Sequence, residues 1–165
     1  MKNKLHLSDK EITEIYNRHV DTVYRVCFAY MKNIADTEDA LQETFIKLIK
    51  SEPEFQSIEH EKAWLIRTAG NTCKNILRHW WRKRENIENY SNLPGNSGIK
   101  TDDLLNQIMQ LPDKYKIVIY MYYYEGYSSV EIADILRKPK STIRNYLHEA
   151  RLILKERLGE DFYEE

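Results

Sequence analysis

Basic side chains are concentrated in one central segment of the chain, and this concentration suits non-covalent binding of a polyanion. Residues 62–84 contain 7 Lys or Arg residues and no Asp or Glu. The flanking segments are acidic: residues 1–61 have 8 basic against 12 acidic residues, and residues 85–165 have 10 against 14. The net charge of -1 therefore hides a local anion-binding segment in an otherwise acidic chain.

The basic and amide residues of this segment line one face of a predicted helix. They recur at spacings of four, three and one residues, opposite an apolar stripe, and they are Arg67, Asn71, Lys74, Asn75, Arg78 and Arg82. Lys62 opens the same segment. Such a face can follow a phosphate backbone, and its two amides can form hydrogen bonds with bases. An ordinary solvated charged face is the alternative.

Three tryptophans stand near the two ends of this face, at Trp64, Trp80 and Trp81. An aromatic ring beside basic side chains can stack on an unpaired base. Packing in the core is the alternative, and we favour it for Trp64 and Trp80. We expect Trp81 to be partly exposed.

A second basic cluster follows a predicted short helix near the end of the chain. Residues 137–140 (RKPK) form a turn because Pro139 cannot lie inside a helix, and Ser141 is a suitable N-cap for a long final helix. Short helix, tight turn and longer helix predict a helix-turn-helix, in which Arg can bind guanine and Asn can bind adenine. The helix N-terminus and the turn suit phosphates. The residues that could meet DNA are Lys140, Ser141, Thr142, Arg144, Asn145, Tyr146, His148 and Arg151. A three-helix bundle with a solvated basic face is the alternative.

The predicted second helix carries a surface of the opposite charge. Glu38, Asp39, Gln42 and Glu43 share one face with the apolar Ile46. An acidic face repels DNA but can bind a protein partner that carries Arg or Lys. An ordinary solvated helix explains the same pattern equally well.

The elements that must position these groups are helices. Gly is scarce and apolar residues recur at helical spacing, so we predict an all-α protein. Capping boxes are expected at Ser8 with Glu11 and at Ser128 with Glu131. We expect Tyr16 and Ile49 to point inward. Residues 86–100 have the composition of a linker, which predicts two small helical domains, residues 8–84 and 102–160, joined by a flexible linker over residues 85–101.

Several functional classes are disfavoured by what the sequence lacks. The five His residues have no metal-ligand spacing with Cys or carboxylates, and no Gly-rich phosphate loop or nucleophile elbow is present, so we expect no metal, no cofactor and no enzyme activity. Cys27 and Cys73 fall on apolar helix stripes and are expected to be buried. The chain shows no signal-peptide core and no apolar run of membrane-spanning length, so we expect a soluble, cytoplasmic protein without membrane insertion.

Three segments, in order, resemble the extracytoplasmic-function sigma factors of the sigma-70 family. Residues 36–48 (DTEDALQETFIKL) resemble the polymerase-binding helix of region two, and residues from 62 onward (KAWLIRTAGNT) resemble its minus-ten recognition helix. The region-four helix-turn-helix is resembled by residues 111–113 (LPD), 124–133 (YEGYSSVEIA) and 141–151 (STIRNYLHEAR). The resemblance spans about residues 10–158 and implies an alternative sigma factor that directs promoter-specific transcription initiation.

The resemblance also implies partners and roles. Asp39, Gln42, Glu43 and Phe45 would dock on the clamp coiled coil of the largest polymerase subunit, although Phe45 also suits the core. The basic segment from Lys62 to Arg82 would recognise and melt the minus-ten element, and the residues from Lys140 to Arg151 would read the minus-thirty-five element. The polymerase flap, promoter DNA and an anti-sigma factor are the other implied partners, and the linker would thread toward the polymerase active-site channel.

The chain departs from the family pattern in its helix-turn-helix. Arg137 stands where Gly is usual, and Lys138 and Lys140 replace small or apolar residues. Arg137 would need an unusual backbone angle or a reshaped turn. Tyr146 replaces a common Arg, and Glu149 stands where the family often has a basic residue.

Overall fold

The computed structural model describes residues 7–84 and 103–159, and every regular element in these ranges is helical. The chain divides into two compact units, residues 1–95 and residues 96–165. The predicted linker, residues 85–101, lies outside the described residues. The helices of the first unit are α1 Asp9–Met31, α2 Ile34–Ser51 and α3 Ile58–Arg84; those of the second are α4 Asp103–Met109, α5 Asp113–Tyr123, α6 Ser129–Leu136 and α7 Lys140–Leu158.

The first unit is a three-helix bundle in which each helix packs against the other two. The capping box predicted at the start of α1 is confirmed, because Glu11 N donates to Ser8 Oγ at 3.2 Å and Ser8 N donates to Glu11 Oε2 at 2.8 Å. The second helix starts at Ile34, because the Asn33 side chain accepts from Asp36 N and caps it. The fully buried side chains of the core include Val23, Cys27, Ala40, Leu48, Leu65, Ile66, Ala69 and Cys73.

Two residues that the sequence predicts to point inward, Tyr16 and Ile49, are exposed. Ile49 is 48% exposed, because the buried arc of α2 ends at Leu48 and the next residue is rotated by about 100°. Tyr16 is exposed at one edge, although its ring still contacts the ring of Phe45 at 4.8 Å between centroids. These two expectations were wrong. The predicted burial of Cys27 and Cys73 is confirmed.

The second unit places a short helix and a longer helix around a tight turn, with α5 packed against both. The first of these, α6, begins at the predicted capping box, in which Glu131 N donates to Ser128 Oγ and Ser128 N donates to Glu131 Oε1, each at 3.1 Å. The preceding helix, α5, ends at Tyr123, and the chain then turns through Gly126 with φ +74°. A glycine suits this turn because positive φ costs it no steric strain.

The turn between α6 and α7 uses an unusual backbone angle at Arg137. This residue has φ +55°, which lies in the left-handed region that favours Gly. Lys138 N then donates to Ala133 O at 3.0 Å, which closes the end of α6. The final helix starts at Lys140 with Pro139 as its N-cap, so the predicted N-cap at Ser141 is wrong. The carbonyl of Pro139 accepts from the N–H groups of both Thr142 and Ile143.

Candidate nucleic-acid interface

The long helix α3 brings six of the seven predicted residues of the first site onto one face. At about 100° per residue, these six side chains fall within an arc of roughly 100°. We call them the α3 basic stripe: Arg67, Asn71, Lys74, Asn75, Arg78 and Arg82. Arg67 and Lys74 are half-buried and the other four are exposed. Lys62 is not part of the stripe, because the same rotation places it about half a turn away, on the side of α3 that carries the core residues.

Hydrogen bonds from both neighbouring helices hold α3 in place. Glu61, in its first turns, accepts from Arg18 Nε at 3.0 Å and contacts His19 Nε2 at 2.7 Å. Further along, Lys47 Nζ of α2 donates to the buried Thr72 Oγ1 at 2.8 Å. Because side-chain packing and these polar contacts fix one side of α3, the stripe on the other side faces solvent in a defined orientation.

The three tryptophans differ in exposure. Trp64 is half-buried and its ring makes an edge contact with Phe55, at 5.9 Å between centroids. Trp80 is also half-buried, whereas Trp81 is 62% exposed, as expected. Trp81 follows Arg78 by one helical turn and so borders the α3 basic stripe. A large aromatic ring thus stands in solvent beside a row of cations and amides.

The final helix exposes most of the second predicted site. Ile143, Leu147, Ala150 and Leu154 face the core of the second unit. The opposite face exposes Lys140, Ser141, Arg144, Asn145 and His148, while Thr142, Tyr146 and Arg151 are half-buried at its borders. Amide, guanidinium and imidazole groups on the first half of a helix are the groups that read base edges in a major groove.

The N-terminus of α7 differs electrostatically from those of five other helices. Acidic residues stand in the first turns of α1, α2, α3, α5 and α6, where they complement the positive end of the helix dipole. The first turn of α7 has none, and its N-cap, Pro139, has no side-chain acceptor. Arg137, Lys138 and Lys140 are exposed around it. This end of α7 is therefore the most favourable of the six for an external anion.

Two tyrosine contacts turn residues of the second site toward α5. Tyr146 packs edge-on against Tyr115, with 5.5 Å between centroids, and Lys114 Nζ lies 4.8 Å from the Tyr115 ring and 6.0 Å from the Tyr146 ring. At the other border, Arg151 Nε donates to Tyr123 Oη at 3.3 Å. Sequence reasoning missed these α5 residues, because contacts between helices leave no periodic signal in either one.

The acidic face of α2 combines charge with apolar surface. Asp39, Gln42 and Glu43 are exposed, and Ile46 is 46% exposed on the same side, as expected. The misassigned Ile49 extends this face by one turn. Phe45 is only 6% exposed and packs against Tyr16, so its ring supports the helix from within. Burial, and then the nearby Glu38 carboxylate, raise the pKa of the Tyr24 phenol.

By their side-chain placement and apolar length, the described residues form neither of two other kinds of feature, metal sites and membrane-spanning helices. No group of three or more His, Cys, Asp or Glu side chains is placed to hold a metal ion within residues 7–84 and 103–159. In the same part of the chain, no helix has both the length and the apolar character that crossing a bilayer requires.

Comparisons with known proteins match both units. The family model for sigma-70 region 2 matches residues 15–84, and the model for sigma-70 region 4 matches residues 101–154. The chain is 27% identical to the ECF RNA polymerase sigma factor SigW of Bacillus subtilis, over 90% of this chain and 87% of that protein. It is 28% identical to RNA polymerase sigma factor SigV of the same organism, over 87% and 88% respectively.

A solved structure has the same fold. It is the sigma factor RpoE in complex with the anti-sigma factor NepR from Bartonella quintana, with a TM-score of 0.72 and 19% identity over 93% of this chain and 99% of that chain. The two family models lie in the order of the two structural units and together cover most of α1, all of α2–α6 and most of α7. The chain therefore belongs to the sigma-70 family and is a sigma factor of the extracytoplasmic-function type.

Proposed function

We propose that this alternative sigma factor docks on bacterial core RNA polymerase through α2, melts the minus-ten element with α3 and reads the minus-thirty-five element with α7. The observation that carries the proposal is the presence, in one chain, of two separate cationic surfaces and one acidic surface on the helices that match regions 2 and 4. A protein that only bound duplex DNA would have no evident use for the acidic, partly apolar face of α2.

The polymerase contact is assigned to Asp39, Gln42 and Glu43. Their exposed polar groups suit a partner surface rich in Arg or Lys, and such charges mainly set orientation and association rate. Ile46 and Ile49 add apolar area that becomes buried on docking, which is the usual source of binding free energy at an interface. Phe45 acts indirectly, since its buried ring fixes the helix that presents these groups.

The minus-ten contact is assigned to the α3 basic stripe. Cations that are spaced along one face neutralise successive phosphates, and Asn71 and Asn75 stand among them where they can form hydrogen bonds with base edges. A base that leaves the duplex loses stacking, and an exposed ring such as Trp81 can replace part of it. Lys62 lies near the start of α3, at the other end of the helix from Trp81. In this proposal it contacts DNA separately from the stripe.

The minus-thirty-five contact is assigned to the first half of α7. Arg144, Asn145 and His148 present base-reading groups, with Ser141 and Thr142 beside them. Lys140 and the uncapped N-terminus of α7 bind phosphate, and Arg151 does so at the border of the helix. Tyr146 supports this surface through its ring contact with Tyr115.

Three partners complete the proposal: the polymerase flap for the second unit, promoter DNA, and an anti-sigma factor. The Bartonella quintana relative was solved with an anti-sigma factor, which supports regulation of this kind here. We place the protein in the cytoplasm, where the polymerase works. Binding of an anti-sigma factor would compete with assembly of the holoenzyme.

The test is transcription with a reconstituted holoenzyme. The full chain is added to sigma-free Bacillus subtilis core polymerase and to templates with randomised upstream sequence, and the transcribed templates are sequenced. We expect defined start sites and two enriched upstream elements. Absence of a stable complex with the core enzyme would overturn the proposal.

Charge reversal separates this function from that of a stand-alone regulator with the same helix-turn-helix. The double variant Asp39→Lys and Glu43→Lys should lose polymerase binding and retain DNA affinity. A matched control reverses the exposed acids Glu14 and Asp21 of α1, which lie outside the α2 face. Specific, tight binding to duplex DNA without polymerase would favour the stand-alone regulator. Unchanged polymerase binding by the α2 variant, or equal loss in both double variants, would contradict the assignment of the contact to α2.

A further inference from the structure

Two consecutive tyrosines of α5, Tyr122 and Tyr123, hold an arginine of the final helix, Arg151. We call this pair of rings the tyrosine seat. The guanidinium carbon of Arg151 lies 4.7 Å from the centroid of the Tyr122 ring, and Arg151 Nε donates to Tyr123 Oη at 3.3 Å. The two rings contact each other at 75°, with 5.1 Å between centroids. The guanidinium is therefore restrained in two directions, by a ring face and by a hydroxyl.

The position of Arg151 on α7 relates this seat to the proposed DNA surface. Arg144, His148 and Arg151 lie within about 60° of one another on the helix, so Arg151 continues the line of the base-reading residues by two turns beyond Arg144. In a helix-turn-helix the first half of the second helix enters the groove, and a later residue at its border is placed beside the DNA backbone. A cation at that point meets a phosphate.

A guanidinium that is already ordered binds a phosphate better than a mobile one. A free arginine loses much rotamer freedom when it forms a specific contact, and less of that freedom remains to be lost when the side chain is already ordered. The contact with Tyr123 is made by Nε, and an arginine recognises phosphate through its planar fork of N–H donors.

We infer that Tyr122 and Tyr123 are positioning residues that hold Arg151 for contact with a promoter phosphate beside the minus-thirty-five element. The inference rests on the proposed function and deepens it, because it assigns a role in DNA binding to residues outside the helix-turn-helix. It also gives a physical reason why a helix with Tyr146 and Glu149, where the family often has basic residues, can still bind a DNA backbone.

The test is a double-mutant cycle on the holoenzyme, with a promoter duplex that the randomised-template experiment has selected. Affinity is measured against salt concentration for the wild type, Tyr122→Leu, Tyr123→Phe and Arg151→Gln. Arg151→Gln should lower the slope of log affinity against log salt by about one, as expected for one lost phosphate contact. Tyr122→Leu removes the cation–π contact and Tyr123→Phe removes the hydrogen bond, and each variant should weaken binding by about threefold to tenfold when Arg151 is present.

The decisive readout is the dependence of the tyrosine effects on Arg151. In the Arg151→Gln background, both tyrosine effects should disappear, because only the coupled part of a cycle reports an interaction. Tyr124→Leu is the matched control: Tyr124 lies beside the seat, and its ring stacks on Tyr120 at 5.6 Å. It should show no coupling to Arg151, even if it lowers the melting temperature as much as Tyr122→Leu does.

Two results would overturn the inference. One is tyrosine effects of equal size in both backgrounds, which would make the seat a structural contact between α5 and α7. The other is an unchanged salt slope in Arg151→Gln. If Tyr122→Leu fails to fold, the Tyr123→Phe cycle still decides, since that change keeps the ring. Failure of the wild-type holoenzyme to bind any promoter is a different result, and it overturns the proposed function itself.

Discussion

His19 Nε2 of α1 lies 2.7 Å from Glu61 Oε1 of α3, and both side chains are almost fully buried, at 5% and 7% exposure. Arg18 adds a second contact to the same carboxylate, with Nε at 3.0 Å from Oε1 and its terminal nitrogen at 3.3 Å from Oε2. One carboxylate thus joins two helices at the end of α3 from which the basic stripe runs. Removing it would leave a buried imidazole without this partner.

The first prediction follows from that carboxylate. Glu61→Ala should lower the free energy of unfolding by about 2–4 kcal/mol, because a buried polar group that loses its partner retains the cost of desolvation. Urea denaturation of the full chain measures it. The control is Glu59→Ala, an exposed acid in the same first turn, which should change stability by less than about 0.5 kcal/mol. Equal effects of the two variants would contradict the buried role of Glu61.

The second prediction concerns base reading by α7. Arg144→Ala should relax specificity at one base pair of the minus-thirty-five element and cost about 1–3 kcal/mol there, if its guanidinium forms a fork with guanine. Competition between promoter variants on the holoenzyme measures this preference. Lys155→Ala is the control, because Lys155 is exposed on the same side of α7 but lies near its end. Uniform weakening across all promoter variants would reduce Arg144 to a phosphate contact.

The third prediction concerns strand opening at Trp81. Trp81→Ala should reduce open-complex formation with a cost of about 1–3 kcal/mol for the lost stacking of one base, while Trp81→Phe should retain most of the activity. Permanganate reactivity of thymines in the minus-ten element reports the open strand. The control is Ile58→Ala, another largely exposed apolar residue, at the opposite end of α3. Normal opening by Trp81→Ala would place the ring outside the melted region.

Sequence predicted local features of this fold better than contacts between helices. The capping boxes at Ser8 and Ser128 depend only on residues three positions apart, and both are confirmed. The exposure of Ile49 depends on where α1 and α3 cover α2, which no local pattern encodes. The same holds for Tyr146, whose partner Tyr115 lies on another helix.

The same difference between local features and contacts between helices applies to the candidate site. Periodicity alone placed six residues on one face of α3, because a long regular helix converts spacing directly into direction. Lys62 shares their charge, but its position in the sequence points it to a different side of the helix, and charge alone does not define a face. The start of α7 was misassigned because a Ser is a strong capping signal, whereas Pro139, with its φ of -58°, takes the N-cap position without a side-chain bond.

The last prediction concerns the trade between stability and DNA binding at Arg137, whose φ of +55° is costly for any residue with a side chain. Arg137→Gly should raise the free energy of unfolding by about 0.5–1 kcal/mol, because glycine adopts this angle without strain. It should also weaken promoter binding and lower the slope of log affinity against log salt by up to about one, since an exposed cation beside the N-terminus of α7 is lost.

Urea denaturation and salt-dependent binding measure the two effects. Lys138→Gly is the control, because Lys138 has no positive φ and should lose affinity without gaining stability. A variant that gains stability with unchanged DNA affinity would show that the turn tolerates Arg137 without using its charge.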